Sequence, residues 1–153
     1  LLDGVYDTFN VGSFFRLGDA VGVKKIFLSG FSESPPNPKI FRASVGTVQW
    51  VDWEYVSNAK QVINSLKSFH PDLCITAVEQ SENSIPLSAC KLQLPQLIIV
   101  GSETHGVSKD ILELCDQIVE FPMYGINNSM NVLSSAAMIL GAMEFVMGNK
   151  LIK

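Results

Sequence analysis

Three short stretches place polar side chains and glycines directly behind an apolar run, which is where a parallel α/β sheet offers its ligand-binding end. They are Asn10-Val-Gly12-Ser-Phe-Phe-Arg16, Gly101-Ser-Glu103-Thr-His-Gly106-Val-Ser108 and Pro122-Met-Tyr-Gly125-Ile-Asn127-Asn128-Ser129-Met130-Asn131. Amides, a guanidinium, a carboxylate and hydroxyls in such places can orient a polar substrate and balance charge that develops on it. They do not compose a nucleophile with its base: His105 has no serine or cysteine in a triad context and reads as an ordinary loop residue. Neither GxGxxG nor GxxxxGK[ST] occurs, which counts against dinucleotide and nucleoside triphosphate chemistry. Cys74, Cys90 and Cys115 stand far apart without a CxxC pair, and with only two histidines they support neither a metal site nor a disulfide framework. Free buried thiols in a reducing compartment are the expectation.

Taken singly, each residue also has a plain structural use. Asn10 and Ser129 at strand-to-helix junctions read as helix caps, and Gly101 and Gly106 as turn residues. Arg16 reads as a solvated charge on a helix face and Glu103 as a loop carboxylate. Trp50 and Trp53, three apart on an expected strand, point to opposite faces, so packing rather than a shared stacking platform is their reading.

The elements that must position these stretches alternate along the chain. Leu1 to Val5 ends a first strand, Gly12 to Val21 forms a helix opened by Asn10, and Lys25 to Ser29 is a second strand. A proline-rich loop runs from Ser32 to Lys39. Val48 to Tyr55 is β-branched and aromatic, and Asn58 to Phe69 carries Val62, Ile63, Leu66 and Phe69 at helical spacing. Leu73 to Val78 and Leu97 to Val100 are unbroken apolar runs, as in strands covered on both faces. Gln117 to Phe121 is a further strand, and a last helix begins near Ser129. This βα alternation without repeats predicts an α/β fold with a mostly parallel sheet.

A chain of 153 residues has the length of one domain, expected over 1–153, and its opening LLDGVYD reads as the end of a strand, as if the start were truncated. No basic segment followed by an apolar leader opens it, and Val132 to Met147, with two serines and Glu144, is too short and polar to span a membrane. A soluble cytoplasmic protein is the expectation. The net charge of −4 argues against wholesale coating of nucleic acid, yet Arg16 to Arg42 carries five basic side chains against two acidic ones. That segment is where a polyanion would be met.

Together, NVGSFFRLGDAVGV, LIIVGSETHGVS and FPMYGINNSMNVLSSAAMIL resemble, in order and spacing, motifs 1, 2 and 3 of the SpoU-type (TrmH) RNA 2′-O-ribose methyltransferases of the SPOUT superfamily. The resemblance runs from Leu1 to about Val146. It implies an α/β domain with helices on both faces of a mostly parallel sheet and a C-terminal deep trefoil knot. It implies S-adenosylmethionine as cofactor, bound in the knot, tRNA or rRNA as substrate, and a homodimer joined through the C-terminal helix. Carried over motif by motif, it assigns Asn10, Arg16, Glu103, Ser129 and Asn131 to catalysis. Val78, Gly101, Phe121 and Met130 match the largely backbone-lined cofactor positions. Ser102, His105, Phe121 and Met130 depart from the usual residues while keeping size or backbone role. Arg42-Ala-Ser-Val-Gly46 resembles a stretch where relatives often carry lysine.

In the family the motif 1 arginine activates the ribose. A guanidinium is always protonated in practice, so Arg16 reads as an electrostatic partner of phosphate and developing alkoxide, with a deprotonated Arg16 as the rival reading. Arg16, Lys24, Lys25, Lys39 and Arg42 are the expected phosphate contacts. A non-catalytic RNA-binding or scaffolding protein, or a small-molecule enzyme on an α/β fold, are the alternatives. The last helix is apolar around most of its circumference, which calls for cover on more than one side.

Overall fold

The computed structural model describes residues 1–148; the last five residues of the domain expected over 1–153 lie outside that range. Seven parallel strands form the sheet: β1 (Leu2–Asp3), β2 (Ile26–Ser29), β3 (Trp53–Val56), β4 (Cys74–Val78), β5 (Ile85–Pro86), β6 (Gln96–Gly101) and β7 (Gln117–Glu120). Their order across the sheet is β3-β2-β1-β6-β4-β7-β5. All carboxyl ends therefore lie on one edge, and the order reverses beside β1 and β6, which is where such sheets open a crevice. The central strands β4 and β6 pair over five residues, from Cys74 with Gln96 to Val78 with Val100.

Helices cover both faces. On one face α1 (Thr8–Val21), α2 (Pro38–Ser44) and α5 (Val132–Met147) bring Val11, Phe14, Phe15, Ile40 and Ala136 onto Leu2, Leu28 and Val100. On the other, α3 (Ala59–Phe69) and α4 (Lys109–Leu112) bury Ile63 and Ile111 against Ile75, Ala77 and Ile99. Ile139 of α5 reaches on to Val119 and Phe121 at the end of β7.

Four local expectations change. First, α1 begins at Thr8 and is capped by Asp7, whose carboxylate accepts from the Phe9 and Asn10 N–H groups, so Asn10 is not the cap. Second, the proline-rich segment closes in a helix: Asn37 caps α2 and Pro38 takes its first position, a cap-then-proline pair that is itself a helix-start signal. Third, Val48 to Tyr55 is not one strand; a 3-10 turn at Thr47–Gln49 precedes β3, so Trp53 meets Phe15 edge-on at 6.5 Å while Trp50 stays 68% exposed. Fourth, α5 starts at Val132 under an Asn131 cap, two residues after Ser129.

The three cysteines are free thiols, but only Cys74 is buried; Cys90 and Cys115, on loops beside the sheet, are partly exposed. Burial pushes the Cys115 thiol up to about 12 and raises Cys90 as well, so neither is a ready thiolate at neutral pH. Gly12 marks the closest helix contact: a Cβ there would stand 2.5 Å from the Ala43 Cβ and 2.7 Å from the Ile40 carbonyl oxygen. Helix propensity alone favours alanine by about 1 kcal/mol, but overpacking against backbone costs roughly 1–3 kcal/mol or more. Gly12→Ala should therefore lower the melting temperature by several degrees in calorimetry, against the helix-propensity trend.

Asp116 ties β4 to the turn before β7, accepting from the Ile75 N–H at 2.8 Å and from the Lys67 ammonium at 2.8 Å. Partial burial works against its charge, yet Lys67 and the Ile75 N–H outweigh it and hold the carboxyl below its usual value. A depressed carboxyl contributes stability above its unfolded value, about pH 4, and loses it as pH falls through the folded one. The pair is well solvated, so Asp116→Ala should cost only about 1 kcal/mol at neutral pH in urea melts, and the gap to wild type should close as pH falls through the depressed folded value.

Candidate active site

The site begins with a division of labour at the start of α1. Because Asp7 caps the helix, the Asn10 side chain is released from local duty and turned inward, where it is 7% exposed. Its Nδ2 donates to Glu103 Oε1 at 2.8 Å, and its Oδ1 accepts from Asn131 Nδ2 at 3.3 Å. Asn131 Oδ1 in turn accepts from the Leu133 and Ser134 N–H groups that open α5. Every orientation in this chain follows from the next: an ionised carboxylate only accepts, so Asn10 must present its NH2 there and its oxygen to Asn131. One amide thus joins three segments separated by 93 and 121 residues.

Behind Glu103 the β6 turn is held rigidly. Ser102 and Gly106 exchange backbone hydrogen bonds at 3.1 and 3.0 Å, and Ser102 Oγ accepts from the His105 N–H at 2.9 Å. Gly101 cannot carry a side chain in this turn, because a Cβ would stand 1.9 Å from the Gly106 carbonyl carbon. Gly106 has a positive φ of 69°, and a Cβ there would press on the Glu79 carboxylate at 2.2 Å. Glu79, just past β4, accepts from the Val107 N–H at 2.8 Å and braces the turn from the opposite side. Asp3 does the same from β1, accepting from the Ser108 N–H and hydroxyl at 2.9 and 2.7 Å. Tyr6 and Thr104 share a hydroxyl hydrogen bond of 2.9 Å across the mouth.

These turns enclose a cleft of about 650 Å³ at the carboxyl ends of β4, β6 and β7. Val78, Gly101, Phe121 and Met130 all line it, as do Glu103, Ser129 and Asn131, with Asn10 immediately behind. Three carboxylates border it, those of Glu79, Glu103 and Glu120, and no lysine or arginine does so among the described residues. The cleft is therefore suited to a ligand of net positive charge.

The basic residues are not gathered at this cleft. Arg16 is exposed on α1, outside the lining. Lys24 and Lys25 sit before β2, at the opposite edge of the sheet, and Lys25 is engaged by Glu54 at 2.7 Å over the Phe27 ring. Lys39 and Arg42 are exposed on α2. Sequence reasoning missed Asp7, Glu79 and Tyr6. The first two had a readable signal: an acid three residues before Asn10, and a polar residue directly after an apolar strand.

The SpoU rRNA Methylase family model matches residues 1–141. The chain is 30% identical over 140 residues to a 23S rRNA (guanosine-2′-O-)-methyltransferase of Neisseria meningitidis serogroup B, covering 92% of this chain and 55% of that protein. Among solved structures it is similar to the A. aeolicus TrmH/SpoU tRNA modifying enzyme, at 28% identity and a TM-score of 0.83, over 96% of this chain and 75% of that one. The SpoU methyltransferase AviRb from Streptomyces viridochromogenes, solved with AdoMet, shares the fold at a TM-score of 0.83 and 22% identity, over 96% and 60% of the two chains. The chain spans about half the length of the curated relatives it matches. Since the family match runs through all three stretches that Asn10, Glu103 and Asn131 tie together, the chain belongs to the SpoU rRNA Methylase family.

Proposed function

We propose that this chain is the catalytic domain of an S-adenosylmethionine-dependent methyltransferase acting on a ribose 2′-hydroxyl of tRNA or rRNA, working in the cytoplasm as a homodimer. The observation that carries the reading is the Asn10 amide held between Glu103 and Asn131 at the rim of the cleft. The activities of its relatives agree with it.

The residues present fit the cofactor. Gly101 and Gly106 keep the turn tight where it lines the cleft, and the carboxylates of Glu79, Glu103 and Glu120 suit a cation. Bound there, S-adenosylmethionine would supply an activated methyl on a positively charged sulfur. Val78, Gly101, Phe121 and Met130 would hold it. Asn10 and Asn131 keep the rim in register and orient the ribose, and Ser129 lines the cleft on the loop that leads into α5. Positioning is the main task, since a near-attack geometry replaces much of the entropic cost of bringing two reactants together. Arg16, always cationic, balances charge on the ribose oxygen and its phosphate while the hydroxyl proton leaves to a phosphate oxygen or solvent.

Arg16 lies away from its own cleft, which supports service to a second copy. α5 buries Ala136, Ile139 and Met143 on one stripe and leaves Met138, Phe145 and Val146 exposed, Phe145 by 91%. α5 lies on the same side of the sheet as α1, which supports a pairing through α5 that brings Arg16 near the partner's cleft. We also read the passage from Phe121 into α5 as the knotted segment; its return to Asn10 through Asn131 supports this. The phosphate footprint we propose is Arg16, Lys39 and Arg42, leaving out Lys24 and Lys25 at the far edge of the sheet.

Incubation with methyl-labelled S-adenosylmethionine and bulk RNA should place label on ribose 2′-oxygens; label in protein or metabolites instead would overturn the reading. Arg16→Ala should lower turnover by about a hundredfold or more while calorimetric affinity for the cofactor stays within about twofold. Phe145→Glu should give monomers in sedimentation with little methyl transfer, and a fully active monomer would refute the shared site.

A further inference from the structure

The loop between β2 and α2 displays an aromatic ring in a way that packing does not explain. Phe31 is 91% exposed, yet the backbone around it is fastened on every side. The Ser32 N–H donates to the Ser29 carbonyl at 3.1 Å and the Glu33 N–H to the Val5 carbonyl at 3.1 Å. The Ser32 hydroxyl, itself buried, donates to the Leu2 carbonyl at 3.0 Å. Gly30 takes a positive φ of 62°, and its carbonyl accepts from the Tyr55 hydroxyl at 2.7 Å. Tyr55 lies near the carboxyl end of β3 and is 45% exposed, so two aromatic side chains stand on one pinned corner. An apolar ring held in water by a rigid mount loses little conformational freedom when a partner stacks on it.

The surroundings say what kind of partner. The loop runs directly into α2, whose Lys39 and Arg42 are exposed and in none of the ion pairs among the described residues. Glu33 is the one acid of the loop, and its carboxylate accepts from Asn37 Nδ2 at 3.3 Å. Aromatic faces beside free cations are the means by which proteins hold single-stranded nucleic acid: bases stack on the rings and phosphates meet the charges. The corner lies on the same edge of the sheet as the cleft, and β2 is two strands from β6, roughly 10 Å at the usual strand spacing. That separation is within reach of a nucleotide close in sequence to the one in the cleft.

We propose that Phe31, supported by Tyr55, is a base-stacking platform that selects unpaired RNA, with Lys39 and Arg42 holding the adjoining phosphates. The proposal rests on the RNA methyltransferase reading and narrows its substrate to a loop or single-stranded segment. In a duplex the bases are stacked on one another and have no free face for Phe31.

The test compares wild type, Phe31→Leu and Phe31→Trp as full chains, by fluorescence anisotropy, on a short labelled single-stranded RNA and on the same strand in a blunt duplex. Phe31→Leu should weaken single-strand binding about tenfold and leave duplex binding unchanged, and Phe31→Trp should restore it. Lys39→Ala should weaken both and reduce the salt dependence of both. Equal affinities of wild type and Phe31→Leu for the single strand would overturn the platform. If that happens while wild type still methylates RNA, the methyltransferase reading stands alone. Wild type that neither binds nor methylates RNA overturns both. A change of sedimentation in Phe31→Leu would assign the ring to self-association and also overturn the proposal.

Discussion

A buried amide that must satisfy both its donor and its acceptor is the constraint on which this site depends. Asn10 is sealed by the core helices on one side and by the Glu103 turn on the other, and a buried polar group without partners costs roughly 1–3 kcal/mol. Glu103 and Asn131 supply those partners. Because Asn131 also caps α5, the requirement extends to the placement of the last helix. Satisfying one side chain therefore fixes three chain segments relative to each other, and the rim of the cleft is the place where they meet.

Around that amide the structure relies on close approach rather than bulk. Gly12 lets α1 settle onto α2, and Gly101 lets the β6 turn fold onto itself with no room for a Cβ. The carboxylates of Asp3 and Glu79 then brace the turn from β1 and β4 through backbone N–H groups.

Charge is divided between two regions. The cleft is bordered by carboxylates, whereas Arg16 is exposed on α1, Lys39 and Arg42 on α2, and Lys24 and Lys25 at the far edge of the sheet. A small cation and a polyanion would thus be drawn to different surfaces of one molecule. The exposed apolar face of α5 adds a third surface, and its position beside α1 relates the proposed self-pairing to the displaced Arg16.

Periodicity and apolar runs made the β4 and β6 strands, the α3 helix and the α/β class legible, because burial on both faces of a parallel sheet writes itself into unbroken apolar stretches. The three polar stretches were legible too, since each follows a strand. What could not be read was which side chain does which job. Asn10 and Ser129 had the right type and place for caps, but Asp7 and Asn131 took those roles, and only the folded chain shows Asn10 turned toward Glu103. Likewise the five basic residues form one segment in sequence, yet α1 runs back along the sheet and puts Lys24 and Lys25 at its opposite edge. Local types and spacings record what each segment can do by itself. Partnerships across 93 or 121 residues, and the separation of neighbours in sequence, belong to the strand order and to the direction of each helix, which the tertiary structure alone decides.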